Sequence, residues 1–232
     1  MKVIFRDLGL MPYQQAWDYQ EELLAEITAQ KIAVLQPGAK HTRATDNYLL
    51  FVEHPHVYTL GKSGSEENLL ANFIQLQAKN AEFVQTNRGG DITYHGPGQI
   101  VGYPILNLAY FVKGIRDYIF KLEESLILCL RHYGIAGCRL EGATGVWLDV
   151  DVPSKTRKIC AIGVRVSRGV SMHGFALNVN TDLSYFSLIN PCGFTDKKVT
   201  SLKAELGREM PIAEVKETLK KSIAEVFGMQ LQ

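Results

Sequence analysis

A strong charge of either sign is missing from this 232-residue chain, because 25 lysines and arginines stand against 24 aspartates and glutamates. A near-zero balance supplies no global field for nucleic acid or an anionic membrane, so neither is expected as a partner, and any electrostatic recognition has to be local. Long apolar runs are missing too. No run of ~18 residues is both uncharged and apolar, as spanning a bilayer requires, and the N-terminal MKVIFRDLGLMPYQQAW meets charge and proline early. A soluble, intracellular, cytoplasmic protein is therefore expected. Repeats, low-complexity tracts and long linkers are also absent. The longest irregular stretch is QPGAKHTRATDN, residues 36–47, which argues against two separate units and for one catalytic-sized domain over residues 1–232.

Cysteine is scarce, and its spacing excludes more than its number. Cys129, Cys138, Cys160 and Cys192 form no C-x-x-C pair, which removes the usual zinc cage and, without secretory context, a disulfide framework. Cys129 sits in the helical apolar run LEESLILCLRHYG, Cys138 opens a short strand-like piece, and Cys160 lies in the alternating KICAIGVRV. All three read as packed thiols. Cys192 is different. In NPCGFTDKKVTSL, residues 190–202, it stands between proline and glycine and is followed by polar residues, where neither helix nor central strand is favoured.

Periodicity sets out the elements. PYQQAWDYQEELLAEITAQK opens on proline and spaces Trp17, Leu23, Leu24 and Ile27 as one helical face. YLLFVEH and HVYTL read as strands, EENLLANFIQLQAKN as a helix, AEFVQT as a strand, and QIVGYPILNL as a strand broken by Pro104. GIRDYIFKLEESLILCLRHYG is a long helix that Gly134 closes. TGVWLDV and RKICAIGVRV flank the polar DVPSKT as a hairpin, and GVSMHGFALNVN is the next strand. VTSLKAEL is a short helix. PIAEVKETLKKSIAEVF places Ile212, Val215, Leu219, Ile223 and Val226 along one face. Sequence-adjacent hairpins mixed irregularly with helices predict an α+β fold, with a mixed, largely antiparallel sheet and flanking helices, against a doubly wound one.

The richest chemistry lies in RGGDITYHGPGQIVGYP, residues 88–104, where paired glycines and a Gly-Pro-Gly turn surround Arg88, Thr93, Tyr94 and His95. Glycines let backbone approach a ligand closely, or simply allow two strand connections to turn. The glycine spacing at 96–102 misses the dinucleotide fingerprint, and GKSG at 61–64 misses the phosphate loop, so a nucleotide site has no support. His54 and His56 in EHPHV have no carboxylate or cysteine at ligand spacing, so no metal is expected there.

RGGDITYHGPGQIVGYPI, with EHPHVYTLGK, GVW, RKICAIGVRV, HGFALNVNTDL and NPCGFTDKKVTSL, closely resembles the octanoyltransferases of lipoate biosynthesis, also called lipoate-protein ligase B. The matching blocks run in family order from about residue 48 to 206. The resemblance implies the catalytic fold of biotin protein ligases and lipoate ligases. It also implies transfer of an octanoyl group from octanoyl-acyl carrier protein to a specific lysine of lipoyl domains. The acceptors would be lipoyl domains of 2-oxoacid dehydrogenase complexes and the glycine cleavage H protein, and no cofactor is called for.

The family's nucleophile falls on Cys192, the thiol already set apart by its loop, and its partner on Lys158. Carried over position by position, the acyl contacts fall on Arg88, Gly89, Gly90, Asp91, Ile92, Thr93, Tyr94 and His95, on Ala161, Ile162 and Gly163, and on Gly174, Phe175 and Ala176. A nearby ammonium favours the thiolate that attacks the carrier thioester, and the amine form can later take the proton of the incoming lysine. Replacing a thioester by an amide requires no ATP. Burying roughly six methylenes would contribute about 5 kcal/mol of binding. The small residues of AIG and GFA would leave room for them, unless they serve only strand packing.

Other readings stay open on the residues. His95 and His173 could orient substrate or tune Cys192, and a Cys192–His95 or Cys192–His173 pair is the rival to Cys–Lys. Strand alternation would place Cys160 on the same face as Lys158. Lys197, Lys198 and Lys203 form a local basic candidate for the acidic carrier. An ATP-dependent ligase of the same fold would adenylate its acid, but the biotin-type loop G-R-G-R-x-G is replaced here by RGGDITYHG. A non-catalytic module that binds acyl carrier protein would leave Cys192 and Lys158 without purpose.

Overall fold

The computed structural model describes residues 1–34, 45–190 and 198–232. Strand β1 (Lys2–Leu10) leads into helix α1 (Tyr13–Val34), followed by β2 (Tyr48–Glu53) and β3 (Val57–Leu60). On α1 the predicted face is real: Leu23, Leu24 and Ile27 are buried and Trp17 is half-buried. Most of the irregular 36–47 stretch lies outside the described residues.

The helix expected over 66–80 is broken in two. A short 3-10 turn spans Glu66–Asn68, and α2 starts anew at Phe73–Ala78. The cause is Asn72. Its side chain accepts from the Gln75 amide at 3.0 Å while the Gln75 side chain accepts from the Asn72 amide at 2.9 Å, a reciprocal cap that begins a fresh helix.

Next come β4 (Glu82–Gln85), β5 (Ile92–His95), β6 (Gln99–Ile105) and α3 (Ile115–His132), which is followed by Gly134 at φ 73°. β7 (Cys138–Leu140), β8 (Ala143–Leu148), β9 (Arg157–Ser167) and β10 (Val170–Asn178) form successive antiparallel partners. The chain closes with β11 (Lys198–Val199), α4 (Leu202–Leu206), α5 (Ile212–Phe227) and β12 (Gln230–Leu231).

Among the described residues the main sheet runs β12-β1-β2-β6-β10-β9-β8-β7, with β11 added beside β9, and a smaller sheet runs β4-β3-β5. The parallel pairs are β1–β12, β1–β2, β9–β11 and β3–β4; the others are antiparallel, so the expected mixed, largely antiparallel α+β architecture holds. Pro104 does not break β6. The β6–β10 ladder ends at Gly102, so the missing N–H falls where no ladder bond is made, and the proline Cδ lies 2.8 Å from where a Cβ on Gly174 would sit.

Both faces of the main sheet are covered. Leu49 and Phe51 of β2 join α3 and α5 in one core, with Leu122, Leu126, Val215, Leu219 and Ile223. Tyr48, Leu50 and Val52 turn to the other face and pack with Leu23, Leu24 and Ile27 of α1. A two-residue period on a strand buried on both sides produces this division. On α5, Phe227 is buried and Val226 only half-buried, a shift of one position from the predicted face. No helix among the described residues is long and apolar enough to cross a membrane.

Candidate active site

The central part of β9 carries the segment that joins β4 to β5. The Gly89 amide donates to the Val164 carbonyl at 3.0 Å. A Cβ on Gly163 would stand 2.8 Å from the Gly89 carbonyl oxygen, so glycine at 163 is what lets this segment lie against the strand. The missing side chain is thus filled by backbone, rather than left as space for an acyl chain. Beside this contact opens a cavity of about 400 Å³, within the range of small-molecule sites.

Most of the sequence-predicted residues meet there. Arg88, Gly90, Asp91, Ile92, Thr93 and His95 line one side; Ala161, Ile162 and Gly163 of β9, and His173, Gly174, Phe175 and Ala176 of β10, line another. Gly89 and Tyr94 do not. Gly89 is taken up by β9, and Tyr94 turns away to stack on Tyr185 at 4.8 Å, with its hydroxyl 2.7 Å from His56 Nδ1. Alternation along β5 accounts for it, since Thr93 and Tyr94 must face opposite ways. Asp91 is held by the Ile92 amide at 2.7 Å and by Asn68 Nδ2 at 2.7 Å.

Lys158 also lies in the cavity wall, but Cys160 does not share its face. The β8–β9 register pairs Trp147 with Lys158 and Val146 with Cys160, so one extra residue of β9 is accommodated between these pairs. Such a bulge reverses the alternation. Lys158 then joins Trp147 and Ala161 on the cavity wall, while Cys160 is wholly buried with Val146 in the α3-side core. Burial pushes the Cys160 thiol far up from its ordinary value, against a smaller opposing effect of Lys158. The Lys158 ammonium lies 4.5 Å from the Trp147 ring centroid and donates to the Thr144 carbonyl at 3.3 Å. Cys129 is buried as read, and the half-buried Cys138 thiol donates to the Trp147 carbonyl at 3.2 Å.

The polar side chains of the cavity wall are tightly bonded to one another. Arg88 is buried and donates through Nη2 to the Thr59 carbonyl at 2.6 Å and hydroxyl at 2.9 Å. His95 Nδ1 lies 2.8 Å from Gln99 Oε1. The Gln99 amide nitrogen already donates to the Tyr94 carbonyl and Asn178 Oδ1, so Gln99 Oε1 accepts and His95 carries its proton on Nδ1. Nε2 then accepts from the Thr59 hydroxyl at 3.2 Å. Burial holds His95 well below the usual histidine range, with His54 and Arg88 adding to the effect.

His173 follows the same logic. Asn87 Nδ2 donates to Glu21, which leaves Asn87 Oδ1 to accept from His173 Nε2–H at 2.7 Å. Its Nδ1 is a buried lone pair with no hydrogen-bond partner among the described residues. Burial, then Arg88 and Arg165, lowers its pKa to about 3. His54 lies behind, where Nδ1–H donates to the Met11 carbonyl at 2.7 Å and Nε2 accepts from Tyr103 at 2.7 Å. Burial lowers it to about 4. Both ring nitrogens of His54 are thus engaged within the protein.

Cys192 and Lys197 lie outside the described residues. The residues that flank 191–197 are described: the Asn190 amide donates to the Asn68 carbonyl at 2.8 Å, and Val199 pairs with Lys158 in β11–β9. Lys198 is exposed at the cavity edge, and Lys203 forms an ion pair with Glu209 at 2.7 Å. Sequence reading missed Tyr13, Gln99, Val101, Tyr103, Trp147 and Asn178 as lining residues. Gln99, Val101 and Tyr103 alternate along β6 and were open to discovery by period; Tyr13 comes from α1 and carried no local signal.

The description "lipoyl protein ligase A/B catalytic domain" matches residues 12–224. The octanoyltransferase of Christiangramia forsetii is 56% identical over 232 residues, covering 100% of this chain and 98% of that protein. Among solved structures, the bipartite lipoate protein ligase of Thermoplasma acidophilum has a TM-score of 0.70 at 16% identity, covering 100% of this chain and 86% of that one. Biotin protein ligase from Aquifex aeolicus has a TM-score of 0.50 at 14% identity, covering 98% and 70%.

Proposed function

The chain belongs to the octanoyltransferases of lipoate biosynthesis, within the lipoyl protein ligase A/B catalytic family, and we propose that it transfers the octanoyl group through a Cys192 thioester with Lys158 as its partner. The donor is octanoyl-acyl carrier protein. The acceptor is a lysine of lipoyl domains, those of 2-oxoacid dehydrogenase complexes and the glycine cleavage H protein, and the reaction takes place in the cytoplasm without ATP or other cofactor. One observation carries this reading: Lys158 stands in the wall of the cavity, and Val199, downstream of Cys192, is paired directly beside it.

In the first half-reaction the Cys192 thiolate attacks the carrier thioester carbonyl, and the carrier thiolate leaves with the proton that the Lys158 ammonium gives up, so Lys158 enters the second half-reaction as the neutral amine. The Lys158 ammonium favours the thiolate in this step. In the second, the acceptor lysine amine attacks the enzyme thioester. An amide forms, the Cys192 thiolate is released, and the amine proton passes to Lys158. Methylenes buried on Ile162, Phe175, Ala176 and Val101 would supply binding energy of ~0.8 kcal/mol each.

The rival histidine pairs are poorly suited to the proton transfer. His95 has its free lone pair engaged by Thr59, and burial depresses both imidazoles below the range of a base effective at neutral pH. Incubation with octanoyl carrier protein in the absence of ATP, followed by intact-mass measurement, tests the reading. One octanoyl increment, removed by hydroxylamine and lost in Cys192→Ala, is expected. No increment without ATP would favour a ligase, and an increment kept in Cys192→Ala would exclude this nucleophile.

A further inference from the structure

Glu123 of α3 is a buried carboxylate beneath the β7–β8 turn. Its Oε2 accepts from Arg139 Nε at 3.0 Å and its Oε1 from the Gly145 amide at 3.1 Å. The Gly145 amide belongs to the same peptide unit as the Thr144 carbonyl, which accepts from the Lys158 ammonium at 3.3 Å. In a trans peptide the C=O and N–H point in opposite directions. A carboxylate pulling on the N–H side therefore aims the carbonyl side at Lys158 and strengthens it as an acceptor through the polarised amide.

Gly145 suits this position alone. Its φ is 128°, and a Cβ there would stand 2.6 Å from the Cys160 carbonyl oxygen. The same added atom would meet the Lys158 side chain at 3.4 Å. The start of β8 is thus built around one peptide whose two polar ends are both occupied, one by Glu123 and one by Lys158. Arg139, which also bonds Glu124 and the Phe120 carbonyl, keeps the Glu123 carboxylate paired.

We infer that Glu123 is a positioning residue for Lys158, acting through the Thr144–Gly145 peptide to fix where the ammonium stands. The inference rests on the Cys192–Lys158 reading. It makes a prediction of sign. Removing a negative charge acting directly through space would stabilise the Cys192 thiolate, whereas releasing Lys158 from its place would destabilise it.

The test is the rate of iodoacetamide alkylation at Cys192, read by mass spectrometry on its peptide. Glu123→Ala should slow it about threefold at pH 7, equivalent to half a unit of thiol pKa. Lys158→Ala should slow it at least as much, and the double variant should be no slower than Lys158→Ala alone. In Glu123→Gln/Arg139→Met the amide oxygen can again accept from Gly145 with no donor opposing its NH₂, so the rate should return toward wild type. Cys160 must stay unalkylated as the sign of an intact fold; where Glu123→Ala exposes it, the paired variant decides. An unchanged or faster rate in Glu123→Ala, with Lys158→Ala slow, would overturn the inference alone. An unchanged rate in Lys158→Ala would overturn the dyad reading with it.

Discussion

Acid should unfold this protein through its buried histidines before its carboxylates titrate. His54 and His173 have folded pKa values of about 4 and about 3, and His95 is held well below its ordinary 6.5, all chiefly by burial. Their unfolded values lie near 6.5. The unfolded chain therefore binds more protons below that pH, and the stability of the neutral folded form is complete above it and lost as pH falls toward the folded values. Between pH 7 and 5 His54 and His173 each cost about 2 kcal/mol, or about 4 kcal/mol for the two, and His95 adds to this in the same direction. That is a large share of the ~5–15 kcal/mol of a typical domain. Urea unfolding at intervals from pH 7.5 to 5 measures it, and the slope near pH 5.5 should reach at least roughly 2.5 kcal/mol per pH unit. Histidine resonances of the folded state supply a second readout, with His54 and His173 not titrating above pH 5. A flat stability profile over this window, or a normal titration of His173, would refute the burial argument. It would also reopen His173 as a base for Cys192.

Lys158→Arg keeps the charge and gives up the proton acceptor, so thiolate formation should persist while transfer to the lipoyl-domain lysine slows and acyl-enzyme accumulates; transfer at the wild-type rate in single-turnover kinetics would leave Lys158 only an electrostatic role. Gly163→Ala puts a methyl 2.8 Å from the Gly89 carbonyl oxygen, so it should lower stability by about 1–3 kcal/mol and raise KM for the donor; an unchanged melting temperature would contradict the close approach. Carrier affinity that uses Lys198 and Lys203 should weaken with salt, because the Debye length falls from about 10 Å at 0.1 M to about 3 Å at 1 M; a salt-independent affinity would remove that contact surface.

Local pattern determined much of this protein. Helix α1 and helix α5 follow from apolar spacing, the β8–β9 hairpin from a polar interruption between strand runs, and Gly134 from the need for a left-handed residue after α3. These features depend on neighbours a few residues apart, whose interactions the sequence displays directly. The segment order of the motif blocks likewise indicated which residues to seek at one site, and most of them meet around the cavity. Tertiary structure decided what depends on exchange between distant strands. Alternation placed Lys158 and Cys160 together, but the β8 register inserts a bulge and separates them, one to the cavity and one to the core. Pro104 survives inside β6 because the ladder to β10 ends before it and Gly174 leaves it space. The histidines looked equivalent as candidate bases until burial and the fixed orientation of Gln99 and Asn87 made His95 and His173 neutral donors. Register, burial and hydrogen-bond direction are set by partners tens of residues away, which is why no window of the sequence contained them.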